Sequence, residues 1–348
     1  MSAVAVISQS ALIHNLSIVK QKSSAKIVAM VKANAYGHHL DMVTPLIKNA
    51  DVLAISSLTE VQALRQTTNR PILLLSGVSS PEELQQAIDL NCQVVAHHSS
   101  HIALINNSDK AVSVWVKIDT GMHRLGLSTD EYQHCLTDFN NNPRITIECV
   151  MSHFACADEL DNPLNQVQLN TFEQSTNDEY NRSMANSAGI LSNPNSHFEF
   201  IRPGIMLYGA SPFTNDDCDL QPVMQLSAPV LSIKTIQAGE VVGYGATWMA
   251  DKPTTLAVIG IGYGDGYPRH AKNGTPILIN GTLCPLVGRV SMDMIVVNIS
   301  AAKASVGDSA ILWGDEKLRV ETVAKYSDTL SYELLTGISN RVKFSQGK

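Results

Sequence analysis

The sequence predicts an α/β protein, an N-terminal (β/α)8 TIM-type barrel followed by a mainly β C-terminal domain. Three observations predict it. Between residues 26 and 208, eight short apolar runs alternate with longer segments of helical pattern. From about Gln221 onward the runs are short and punctuated by turn residues instead. The length of 348 residues accommodates one large barrel and a smaller module.

The eight runs are Lys26–Val31, Val52–Ser56, Ile72–Leu75, Gln93–Ala96, Ser113–Asp119, Ile145–Ser152, Ser183–Asn186 and Phe200–Leu207. Two intervening helices carry clear signals. Ser57–Thr67 places Leu58, Val61, Ala63 and Leu64 at helical spacing. Ser80–Leu90 offers Ser80 as N-cap, Pro81 at the first helical position, and Glu82 and Glu83 at the positive end of the dipole. Further on, strands are expected at Pro229–Ile236, Thr255–Gly260, Thr275–Ile279, Cys284–Val287 and Met294–Ile299. Asn280-Gly281 between two of them predicts a tight hairpin. The boundary is expected within residues 212–225, at the stretch PFTNDDCDLQP, giving domains of residues 1–220 and 221–348.

Composition narrows the function. A net charge of -7 argues against an electrostatically driven nucleic-acid binder and against docking on an anionic membrane. No apolar run approaches the ~18 residues of a spanning helix. The start MSAVAVISQS carries no signal-peptide pattern. Cys92, Cys135, Cys149, Cys156, Cys218 and Cys284 are scattered without a C-x-x-C pair, as expected of reduced thiols in the cytoplasm. These features leave a cytoplasmic enzyme or a small-molecule binder.

Barrel chemistry sits at the C-terminal ends of the strands. Alternation along KIVAMVK puts Val28, Met30 and Lys32 on the inward face, so Lys32 ends the first barrel strand at the mouth. It either snorkels to solvent or is a desolvated amine suited to Schiff-base chemistry. In the fifth strand Lys117 points inward, with Arg124 soon after in DTGMHRLG. Either Asp119 neutralises Lys117, or Lys117 reacts with CO₂ and the resulting carboxylate holds Arg124. His153 ends the sixth strand, as a structural hydrogen-bonder or a proton relay. Asn186-Ser187-Ala188-Gly189 and Arg202-Pro203-Gly204-Ile205 follow the last two strands, the usual position of a barrel phosphate site. An interior lysine, an arginine and a phosphate-type loop at one mouth suggest pyridoxal 5'-phosphate. The cluster His97, His98 and His101 lacks a matching acidic or thiol ligand, so no metal is expected. The glycines of GIGYGDGY do not fit a dinucleotide loop.

These residues also resemble a known family. Val31-Lys32-Ala33-Asn34-Ala35-Tyr36-Gly37-His38, Lys117 to Gly126, Ser152 to Ala155, Arg202 to Ile205, Gly243 to Gly245, Gly262 to Tyr267 and Gly288 to Asp293 are similar, in order, to blocks of bacterial alanine racemases. The resemblance implies a fold-type III pyridoxal-phosphate enzyme that interconverts L- and D-alanine. It implies Lys32 as cofactor lysine and one catalytic base, and Tyr263 as the opposite base. Tyr36, Ser187, Gly204 and Ile205 would hold the phosphate, Arg202 the pyridine nitrogen, and His153 would link Arg202 to Tyr263. Arg124, oriented by carboxylated Lys117, and the Met292 N–H beside Asp293 would hold the substrate carboxylate. Tyr263 and Met292 would come from the partner in a homodimer with shared active sites. D-alanine for peptidoglycan, or its catabolism, would be the role. Two departures stand out: Asn340 where some relatives carry a phosphate-binding tyrosine, and His123 where some carry glycine.

Rival readings are a broad-spectrum or serine racemase, a non-catalytic cofactor carrier, a decarboxylase of the same fold and a cofactor-free aldolase. The Gly262–Tyr267 block argues against the carrier. Arg202 argues against the decarboxylase, which would use an acidic ring-nitrogen partner and a cysteine such as Cys284.

Overall fold

The computed structural model describes residues 3–213 and 219–347. Residues 214–218 of the expected linker, Cys218 among them, lie outside the described residues.

The first strand, β1 (Val4–Ser8), runs into a helix over Gln9–Lys22, whose start is capped by Ser8 Oγ accepting the Ala11 N–H at 3.2 Å. A closed parallel barrel follows: β2 (Lys26–Met30), β3 (Val52–Ile55), β4 (Ile72–Leu74), β5 (Cys92–Ala96), β6 (Val112–Lys117), β7 (Ile145–Met151), β8 (Arg182–Ser183) and β9 (Phe200–Ile201). β9 closes the ring on β2, pairing Phe200 with Lys26. Each of the eight expected runs overlaps a barrel strand, the seventh at Ser183 alone. The seventh and eighth are shorter than expected because the chain must turn at once. Asn186 caps a helix over Ser187–Ser192, and Pro203, which lacks an N–H, ends the ladder before a 3-10 turn at Ile205–Tyr208. The expected caps are present: Ser57 Oγ accepts the Glu60 N–H at 3.3 Å, and Ser80 Oγ accepts that of Glu83 at 3.2 Å. Inside the barrel the fully buried Trp115 donates its indole N–H to Gln93 at 2.8 Å and packs on Phe200.

The C-terminal sheet uses β10 (Met224–Ile236), β13 (Thr254–Ile259), β14 (Pro276–Ile279), β15 (Thr282–Pro285), β16 (Ile295–Asn298), β17 (Ser309–Trp313) and β18 (Lys343–Gly347). A two-stranded ribbon pairs β11 (Val241–Val242) with β12 (Trp248–Met249). Asn280 (φ 46°) and Gly281 (φ 79°) form the expected hairpin turn between β14 and β15, both in the left-handed region. The sequence reading left β1 unassigned. It lies inside this sheet, antiparallel to β10 and parallel to β18, with Ala5 and Ile7 buried between them. A helix over Ser331–Thr336, also unassigned from sequence, packs against the segment that follows β2. A Cβ on Gly37 would lie 2.0 Å from the Leu335 carbonyl oxygen, so only glycine permits this approach.

Candidate active site

Lys32 leaves the end of β2 at the head of an unusual turn. Ala33, Asn34, Ala35 and Tyr36 all hold φ of 52–55°, one turn of left-handed helix made from L-residues. Such backbone costs about 1–2 kcal/mol per residue and persists only where its surroundings enforce it. The Ala35 and Gly37 N–H groups donate to Val31 and Ala33, and the Asn34 N–H donates to Glu60 Oε1 at 3.0 Å. The turn sends Lys32 and Tyr36 into one cavity of about 790 Å³ at the C-terminal mouth of the barrel. That size suits a small cofactor. Lys117, Arg124, His153, Ser187, Arg202, Gly204 and Ile205 line the same cavity, as expected.

One end is a cradle of neutral donors. Ser187 Oγ accepts the Gly204 N–H at 2.9 Å, so that N–H is engaged rather than free, and the Met206 N–H at 3.4 Å. A Cβ on Gly204 would fall 2.7 Å from Tyr36 Oη, so the backbone approaches the phenol only because the residue is glycine. Tyr36 stacks on Tyr208 at 4.8 Å and lies 6.0 Å from the ring of Tyr332. Burial raises the Tyr36 phenol well above its usual range and pushes Tyr332 up to about 12, so both remain O–H donors. Tyr332 lines the cavity and was not singled out from sequence. Asn340 is exposed and does not line the cavity; the second tyrosine at this end is Tyr332, delivered by the helix Ser331–Thr336. Nothing in the string SYELLTG reveals that this helix folds back over the barrel.

At the cavity wall the buried Arg202 guanidinium donates to Ser183 Oγ at 2.6 Å, the Met184 carbonyl at 3.1 Å and the Ser152 carbonyl. Its Nη2 also lies 3.1 Å from His153 Nδ1. Burial draws Arg202 down to about 10, still a cation at neutral pH. The guanidinium can only donate, so His153 Nδ1 accepts and the ring's proton sits on Nε2. Burial, then the charge of Arg202, holds His153 neutral.

Lys117 is buried inside the mouth, and desolvation and the neighbouring Arg202 and Arg124 lower its amine to about 8. Asp119 is otherwise occupied: Oδ1 accepts the N–H groups of Gly121, Met122 and His123, and Oδ2 lies 3.3 Å from His123 Nδ1. No ion pair joins Asp119 to Lys117 among the described residues; the Asp119 charge raises the Lys117 amine, but less than desolvation and the two arginines lower it. Arg124 reaches the cavity from an exposed loop. Desolvation and Arg124 lower the Lys32 amine, and Glu60 raises it.

Tyr263, Met292 and Asp293 do not line this cavity. They sit together on the C-terminal domain, where the Tyr263 N–H donates to Ser291 and the Gly264 N–H to Met292. Arg341 binds Asp265 at 3.2 Å and Asp293 at 2.6 Å, and Asp265 Oδ2 accepts the Gly262 N–H. Tyr263 and Met292 are left 42% and 52% exposed. Cys284 is buried in β15 and does not line the cavity, which leaves the decarboxylase reading without its thiol. His97 bonds the Ser76 carbonyl at 2.8 Å, and His98 caps the helix Ser99–Asn106.

Family models match nearly the whole chain, "Alanine racemase, N-terminal domain" over residues 7–212 and "Alanine racemase, C-terminal domain" over residues 223–345. The chain belongs to the alanine racemase family. It is 63% identical to the alanine racemase of Vesicomyosocius okutanii over 99% of this chain and 98% of that one. It is 44% identical to that of Aeromonas hydrophila, over 98% of each. The biosynthetic alanine racemase structure from Pseudomonas aeruginosa superposes with a TM-score of 0.96 at 38% identity, covering both chains fully. An alanine racemase from Bartonella henselae, solved with covalently bound pyridoxal phosphate, gives 0.92 at 30% identity over 99% of each chain. As an alanine racemase family member, the chain joins its barrel and β domain in the order the sequence predicts.

Proposed function

We propose that this alanine racemase family enzyme interconverts L- and D-alanine with pyridoxal 5'-phosphate, using Lys32 and Tyr263 as opposed bases. The observation that carries this reading is a single cavity uniting an inward lysine of lowered pKa, a neutral-donor cradle and a buried arginine.

When bound, pyridoxal phosphate supplies the electron sink that makes the α-proton of an attached amino acid acidic. Tyr36, Ser187, Tyr332 and the backbone N–H groups of Gly204 and Ile205 would hold its phosphate. Arg202, a cation at neutral pH, would stand at the ring nitrogen and would not readily give it a proton. Lys32 accepts or returns the α-proton on one face. Tyr263 of a second copy serves the other face, which explains why its own chain leaves it exposed. The His153 Nε2–H donates to that phenol's oxygen and favours its ionised form. Arg124 and the Met292 N–H of the second copy hold the substrate carboxylate, with Asp293 beside them. Carboxylation of Lys117 converts a crowded cation into an anion that orients Arg124. The assembly is thus a homodimer with shared sites.

Among the described residues no helix is long and apolar enough to cross a membrane. The five described cysteines are free thiols, which supports a cytoplasmic enzyme. Purified protein incubated with pyridoxal phosphate and L-alanine is expected to accumulate D-alanine. Cofactor fixed at Lys32 with no D-alanine formed would overturn the racemase reading in favour of a carrier.

A further inference from the structure

Glu60 has no part in the scheme above and does not line the cavity. It sits at the third position of the helix Leu58–Arg65, where its N–H is bound by the N-cap Ser57. Its carboxylate spans two elements. Oε2 accepts the Ser57 hydroxyl at 3.2 Å, and Oε1 accepts the Asn34 N–H at 3.0 Å. Asn34 stands in the middle of the left-handed turn, two residues after Lys32 and two before Tyr36. In a right-handed continuation of the chain this N–H would point elsewhere, so the bond exists only while the turn keeps its strained hand. The turn's own side chain adds a second tie, Asn34 Oδ1 accepting the Leu40 N–H at 3.0 Å.

Charge gives a second effect. The cavity groups around Lys32 are Arg124 and Arg202, both cations, Lys117, and the neutral His153. Tyr36 and Tyr332 stay protonated, and Glu333 is bonded to the Thr329 hydroxyl. Glu60 is the carboxylate that acts on the Lys32 amine against Arg124.

We propose that Glu60 is a positioning residue of the active site: its carboxylate clamps the left-handed turn that aims Lys32 and Tyr36, and its charge tunes the lysine amine. This deepens the proposed function, because it takes Lys32 as the cofactor lysine.

Two substitutions separate the effects. Glu60→Gln keeps an oxygen for the Asn34 N–H and removes the charge. Glu60→Ala removes both. The first readout is borohydride fixation of pyridoxal phosphate on Lys32, quantified by peptide mass across pH. Removing a negative charge disfavours the protonated amine, so the Glu60→Gln midpoint moves to lower pH; an unchanged midpoint overturns the tuning role. The second readout is hydrogen exchange at the Asn34 amide. Glu60→Ala, which loses a hydrogen bond to a charged group, is expected to exchange roughly tenfold faster or more, and Glu60→Gln, which keeps a neutral acceptor, falls between it and wild type. Wild-type exchange in Glu60→Ala overturns the clamp. A wild-type chain that fixes no cofactor on Lys32 defeats the proposed function instead, and the exchange rates still decide the clamp.

Discussion

Arg202 Nη2 and His153 Nδ1 lie 3.1 Å apart, and because the guanidinium has no acceptor, this contact alone sets the imidazole's tautomer. The ring's proton therefore sits on Nε2, the donor that the proposed function assigns to the Tyr263 phenol. Replacing His153 by Ala removes that donor. The acidic limb of kcat/KM against pH is expected to move to higher pH, because Tyr263 then ionises less readily. A limb that stays in place in a cofactor-loaded variant would separate His153 from the proton path.

Tyr263→Phe keeps the ring and deletes only the proton carrier. Cofactor content is expected to stay at the wild-type level, while racemisation falls by about 10²-fold or more in both directions, because each direction needs both bases. Solvent deuterium should then enter only from the lysine face. Equal loss of cofactor and turnover would assign Tyr263 to binding.

Arg202→Glu replaces a permanent cation with a group able to share a proton with the ring nitrogen. Racemisation is expected to fall, and amino transfer to appear: alanine leaves as pyruvate while the cofactor leaves as pyridoxamine phosphate. Mass analysis of the cofactor detects this directly. The Arg202→Lys control keeps the charge and should show no such product.

Lys117, held near 8, has an accessible neutral amine at physiological pH. Labelled bicarbonate is expected to give a carbamate carbon signal that is absent from Lys117→Ala. Arg124 in that variant lacks its anion, so KM for alanine should rise more than kcat falls.

His38, just after the left-handed turn, is fully buried and donates Nδ1–H to the Tyr36 carbonyl at 2.9 Å. Burial pulls its imidazole down to about 4, against an ordinary value near 6.5. Between those values the unfolded chain binds more protons than the folded one. Its stabilising contribution is therefore complete above about pH 6.5 and lost as pH falls toward 4. The difference in urea midpoint between wild type and His38→Gln is expected to narrow across that window.

Much of this molecule is legible in its sequence because the information is local. The eight barrel strands, the caps at Ser57 and Ser80, and the Asn280-Gly281 hairpin each follow from a few adjacent residues. So does the inward aim of Lys117, which alternation along β6 decides, whereas Lys32 lies beyond the end of β2 and is aimed by the turn that follows. What stayed hidden depends on remote packing. The left-handed turn of Ala33 to Tyr36 runs against the propensity of both alanines and the tyrosine, only Asn34 favouring it, and it is held by Glu60 and by packing against the helix around Leu335. Tyr332 joins the cavity across some 300 residues of sequence from Tyr36, and no pattern near position 332 announces that. The loose reading of Phe200–Leu207 as one strand failed at Pro203, where the missing N–H outweighed an apolar run.

The strand Val4–Ser8 is synthesised more than 200 residues before its neighbours Met224–Ile236 and Lys343–Gly347. During synthesis the barrel can close while this opening segment waits with both edges bare. Loss of either chain end would leave the same ladder unfinished, so small truncations at opposite termini should produce one shared defect.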